Sequence, residues 1–149
     1  LWMKEYLQLD GLAYKLVPIR TGNRNSFELG RIDTDLMYDV AMNWYWGNSG
    51  SDDIYHDVQT RSQGLSFRSN LARLMEELIA ENKIDKARDI IDLAMTHLPV
   101  EHFEFYTFVE PFVDGYYKVG DTEKARELYY QLKGIYVDRI DYYAGIPLD

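Results

Sequence analysis

The stretch Phe67 to Pro99, FRSNLARLMEELIAENKIDKARDIIDLAMTHLP, leaves a chain few ways to fold. Phe67, Leu71, Leu74, Met75, Leu78 and Ile79 recur at i, i+4, i+7, i+8, i+11 and i+12. That spacing is one face of a 3.6-residue period, and Arg68, Arg73, Glu76, Glu77 and Glu81 fall largely on the other faces. Asn82 is a suitable stop because Asn tolerates the left-handed conformation that closes many helices. Asp85 is placed to cap a second helix by accepting from its free N–H groups. That helix carries Ala87, Ile90, Ile91, Ala94 and Leu98 on one stripe and ends at Pro99, which cannot continue the ladder. A turn of only a few residues between the two helices forces them to pack antiparallel.

Upstream, Leu7 and Leu9 alternate with Gln8, and Leu12, Tyr14 and Leu16 alternate again after Asp10-Gly11. Asp-Gly between alternating apolar residues signals a β-hairpin, because both turn positions accept positive φ. An extended arm, or one short helix over Leu12–Val17 stopped by Pro18, is the alternative. Thr21 to Arg31 is polar and rich in Gly and Asn, hence a loop. Asp33-Thr34-Asp35 then supplies caps for a helix from Leu36 to about Trp46, ended by Gly47. Tyr38, Trp44, Tyr45 and Trp46 load it with rings, as a packing seam or as a stacking platform for a sugar or peptide. Asn48 to Gly64 reads as a long acidic loop. Its Asp52, Asp53, His56 and Asp57 are the only candidates for a hard-metal site, and their spacing matches neither an EF-hand nor a zincin. A solvated acidic loop is the plainer expectation, and no metal or other cofactor is expected.

A second helical hairpin is expected from Phe108 to about Tyr143. Pro111 suits a first turn, Gly120 ends the leading helix, and Asp121 or Thr122 caps the next. That last helix has Ala125, Leu128, Tyr129, Leu132, Tyr136, Ile140 and Tyr143 on one stripe, with Gly134 weakening it. ENKIDKARDIIDLAM corresponds to VGDTEKARELYYQLK, so that Lys86-Ala87-Arg88 returns as Lys124-Ala125-Arg126, 38 residues on. With Tyr116, Gly120-Asp121 and Ala125, and with Ala87, Ala94 and Pro99 in the earlier copy, the pair resembles the tetratricopeptide repeat. The offset exceeds the usual ~34 residues, and Val113 stands where that repeat has a small residue. A helical repeat cannot bury its own apolar face alone, so its copies stack.

These features give a mainly α fold of tetratricopeptide-like hairpins, about five helices in all, with a short N-terminal β-hairpin or extended arm. One domain is expected over 1–149: arm and loop (1–32), helix and acidic loop (33–64), first hairpin (65–99), second hairpin and tail (100–149). The net charge of −9 disfavours nucleic acid, whose phosphates would be repelled. The absence of cysteine rules out thiolate chemistry and Cys-ligated zinc. No apolar run approaches the ~18 residues that span a bilayer, and no signal peptide is visible. The opening LWMKEYLQ, without an initiating Met, suggests a piece of a longer protein.

YLQLDGLAYKLVPI (Tyr6–Ile19), DTDLMYDVAMNWYWGN (Asp33–Asn48) and the later repeats resemble the soluble C-terminal tail of a bacterial family of multi-spanning membrane proteins. That family is related to protein O-mannosyltransferases and was long labelled a domain of unknown function. The resemblance implies a membrane-embedded glycosyl-transfer parent and an extracytoplasmic, periplasmic tail. Without it a cytoplasmic repeat protein is expected. No catalytic residue transfers to this stretch. The leading expectation is therefore a non-catalytic domain that binds protein, peptide or glycan, or docks on its own membrane part. The groove expected by tetratricopeptide analogy includes Glu76, Ile79, Asp114, Tyr117 and Lys118. A carbohydrate hydrolase with paired carboxylates, or a structural dimerisation or spacer module, is the alternative.

Overall fold

The computed structural model describes residues 3–21 and 29–146. It is mainly helical. Six α-helices stand among the described residues: α1 (Thr34–Met42), α2 (Val58–Ala80), α3 (Ile84–His97), α4 (Val100–Phe103), α5 (Glu110–Lys118) and α6 (Thr122–Ala144). They follow a small sheet of β1 (Leu7–Asp10), β2 (Ala13–Leu16) and β3 (Arg31–Ile32) in the order β2-β1-β3. The hairpin alternative holds, with Leu7 opposite Leu16 and Asp10 opposite Ala13. Gly11 takes φ +67° in the turn, where a side chain would be strained and would also collide with the Trp44 ring. The short helix considered over Leu12–Val17 does not form. The parallel strand β3, pairing Leu9 with Ile32, was not foreseen, and most of the expected Thr21–Arg31 loop lies outside the described residues.

The hairpin at the centre is α2 against α3. Leu74, Leu78, Ile90 and Ile91 are completely buried between them, each contributing about 1.5–3 kcal/mol by leaving water. Asn82 closes the turn at φ +59°, as its tolerance of the left-handed region predicts. Several boundaries differ. Asp85 does not cap α3; Lys83 stands at that position without a side-chain cap, and Asp85 pairs instead with Arg88. The central helix begins at Val58, nine residues before the apolar stripe, capped by Asp57 accepting from the Thr60 N–H at 2.7 Å. The last part of the expected acidic loop, Val58 to Gly64, is therefore helix. Its polar TRSQG sequence hides this, and the stretch is held by Gly64 lying so close against the Phe103 ring that no Cβ fits. Helix α1 stops at Met42, four residues short of Trp46.

Arg68 was expected on a solvent-facing side and is instead fully buried. Gly134, expected to weaken the last helix, lies within an unbroken α6, exposed and with open space around it. Tyr129 was expected on the core stripe, but only Ala125, Leu128 and Leu132 of α6 are buried. Pro111 does sit in the first turn of α5, and Asp121 does cap α6.

An ion cluster ties α1 to the central turn. Lys83 Nζ and Lys86 Nζ each donate to Asp35 at 2.7 Å, and the Thr34 hydroxyl donates to Glu81 at 2.6 Å. The hydrogen bonds from Lys83 and Lys86 bring the Asp35 carboxyl from its ordinary 3.8 down to about 2. A depressed carboxylate favours the folded state above its ordinary value and loses that contribution as pH falls through the folded one. The contribution is thus present above about pH 4 and disappears towards pH 2. Carbon-13 titration of the Asp35 carboxyl should give a midpoint about two units below an ordinary aspartate, and Lys83→Ala should move it upward. A midpoint unchanged by removing Lys83 would contradict the assignment.

Candidate functional site

Helices α5 and α6 are joined at Gly120, whose φ of +85° lets the chain reverse within one residue of the Asp121 cap. Between these two helices lies a groove of about 500 Å³. Val113, Asp114 and Tyr117 of α5 form one wall; Tyr129, Leu132, Tyr136 and Val137 of α6 form the other, with Glu110 and Lys133 at the rim. The lining is chiefly apolar and open to water: Tyr117 is 47% exposed and Tyr129 49%.

The groove's polar groups are held in place. Lys118 pairs with Asp114 at 2.5 Å, one turn away on α5, and the Tyr136 hydroxyl donates to Glu110 at 2.9 Å. The bond to Asp114 raises the Lys118 pKa, with a smaller push from Glu76 on α2. On the opposite side of α5, the Tyr116 hydroxyl donates to Asp92 at 2.8 Å. Burial, with help from Asp92, drives its pKa far up, so it stays a neutral donor.

The 38-residue correspondence explains why this particular face is a groove. On the first hairpin, Met75 and Ile91 are buried because α5 lies across them, with Gly115 at the closest approach. A Cβ on Gly115 would run into Met75 Sδ and sit 3.1 Å from Ile91 Cδ1. Thirty-eight residues later the same two positions are Val113 and Tyr129, both lining the groove. Ala94 and Leu98, also buried, correspond to Leu132 and Tyr136. By that correspondence in sequence, the groove's lining aligns with residues that α5 covers on the first hairpin.

Of the residues singled out in sequence, Asp114 and Tyr117 line this groove. Lys118 and Glu76 are not among the lining residues; Lys118 pairs with Asp114, which is. Ile79 is half-buried against the core and is not among the lining residues. The α6 wall was missed, because Tyr129 and Tyr136 read equally well as core; their correspondence to Ile91 and Leu98 was the available signal.

The acidic segment does not assemble as a metal site. Asp57 is the cap of α2, Asp52 pairs with His102 at 3.2 Å, and the Asp53 N–H donates to Ser51 Oγ. His56 is buried, its ring centroid 5.4 Å from that of His102 and 4.9 Å from that of Phe103. Among the described residues no three His, Asp or Glu side chains converge at metal-binding range. The aromatic run is divided. Trp44 and Trp46 pack edge-on at 5.2 Å and both meet Phe67, while Trp46 stacks on His97 at 5.1 Å. Burial lowers the His97 pKa. Tyr38 turns away to donate to Asp89, and Tyr45 is almost wholly exposed.

No described helix is long and apolar enough to cross a membrane. No curated protein and no solved structure matches the chain. Residues 1–36, which hold the three strands and the start of α1, match the family model described as TMEM260-associated domain 2. The first quarter of the chain is thus similar to a domain associated with that protein.

Proposed function

We propose that this chain is a non-catalytic interaction domain, tetratricopeptide-like in build, whose α5–α6 groove receives a polypeptide helix. The carrying observation is the correspondence of the open groove to a seat that α5 already fills one repeat earlier. Helix-in-groove recognition reads apolar anchors at helical spacing, and the wall of Val113, Tyr117, Tyr129 and Leu132 offers their complement. The match to TMEM260-associated domain 2 supports a place beside a membrane glycosyltransferase-like parent, and on our reading this domain is that parent's extracytoplasmic tail. Lys118, paired with Asp114 of the lining, would then contribute charge beside the groove.

The test exploits the lack of native cysteine. A fluorophore on Val113→Cys is titrated with a synthetic peptide of residues 107–121, the segment that occupies the equivalent seat, and separately with mixed oligosaccharides. A saturable blue shift with the peptide, lost in Tyr117→Ala plus Lys118→Ala, is the expected result. A response to oligosaccharide alone, or a peptide response that survives the double substitution with the fold intact, would overturn the reading.

A further inference from the structure

One face of α6 carries Tyr129, Leu132, Tyr136, Ile140 and Tyr143, with Val137 beside them. The bond from Tyr136 to Glu110, the first residue of α5, marks where α5 stops flanking this face. Beyond it α6 runs on for two turns, and Val137, Ile140 and Tyr143 are 44%, 65% and 67% exposed. The overhang from Val137 to Ala144 is about 12 Å long, and the groove from Tyr129 to Val137 has about the same length along α6. Among the described residues the molecule thus presents a groove and an exposed apolar helix end of equal length on one face.

Resting on the reading of the groove as a helix seat, we infer that its occupant is a second copy of this chain. The two α6 helices pack antiparallel about a two-fold axis near Val137, each overhang entering the other's groove. Such a contact is self-complementary, as a two-fold interface must be. Lys133 and Asp141 lie four residues either side of Val137, so the two-fold axis places each near its opposite charge on the second copy. Gly134, exposed with open space around it, lets the second helix come close. The exposed rings and aliphatic groups of the face would bury about 600 Å² per copy, near the lower bound for a specific interface. The second copy completes the apolar lining that one copy leaves open.

Sedimentation velocity of the intact chain from about 1 µM to 1 mM, a range suited to an interface of this size, should show the mass rise from 17.6 kDa towards twice that value. Ile140→Glu should weaken association at least ~100-fold, in the range for an anchor residue, with an unchanged circular-dichroism spectrum. Oxidised Val137→Cys should cross-link rapidly, whereas Val58→Cys, exposed but outside the groove, should not. A chain that stays monomeric throughout, or equal cross-linking of the two cysteine variants, would overturn the inference. If it stays monomeric while the 107–121 peptide still binds, only the second copy falls. If neither associates, the groove reading falls with it.

Discussion

Arg68→Met is expected to destabilise the fold by about 3 kcal/mol or more, the scale for removing one partner of a buried charged network. In a chain of this size that lowers the melting temperature by roughly 6–12 °C. The reason is the number of groups the side chain satisfies. Its guanidinium donates to Leu98 O at 2.8 and 3.2 Å, to Pro99 O at 2.9 Å and to Glu104 O. Those carbonyls belong to the break between α3 and α4 and to the turn after α4; Pro99 O also accepts from the Phe103 N–H at 3.2 Å, so the loss falls chiefly on Leu98 O and Glu104 O. Glu104 and Phe105 there both adopt positive φ, 47° and 48°, each costing on the order of 1–3 kcal/mol for a residue with a side chain. Burial draws the Arg68 pKa down to about 10 against the opposing pull of the Glu101 charge, so it remains charged at neutral pH. Arg68→Lys should recover only part of the loss, because an ammonium cannot reproduce the planar fork. Urea unfolding of the three proteins decides it. A methionine variant within about 0.5 kcal/mol of the parent, the range of ordinary surface changes, would show that Arg68 is no clamp.

Gly115→Leu is expected to cost about 3 kcal/mol, at the upper end of ordinary overpacking. The new Cβ meets Met75 Sδ and Ile91 Cδ1, both in the closed core, and α5 cannot move outward without uncovering Phe112. Gly115→Ala should cost less, since alanine's helix preference offsets about 1 kcal/mol of the clash. Met75→Ala should destabilise alone yet rescue part of Gly115→Leu, a coupling that a double-mutant cycle by urea unfolding measures. Strict additivity would mean that the two residues do not share one packing site, and the equivalence between this seat and the open groove would lose its basis.

Which features were legible in the chain follows from the range of the interactions behind them. The two hairpins, the closing Asn82, the caps Asp33 and Asp121, Pro111 in a first turn and the Asp10-Gly11 reversal depend on residues within a few positions of each other. Periodicity and cap chemistry express such local constraints directly. Asp114 and Tyr117 were named by analogy with tetratricopeptide grooves, and they lie on the side of α5 opposite its buried Phe112, Gly115 and Tyr116.

Other features needed the assembled molecule. Arg68 reads as polar surface because its partners are backbone carbonyls 30 or more residues away, and a carbonyl leaves no mark in sequence. The early start of α2 depends on Phe103 closing over Gly64, and β3 depends on a pairing with β1 from far upstream in the chain. Tyr129 and Ile91 occupy corresponding positions on corresponding stripes, and one is half exposed while the other is sealed. Periodicity determined that each helix has an apolar face. Only tertiary packing decided which faces are covered, because burial depends on a neighbour's presence, which no residue encodes by itself.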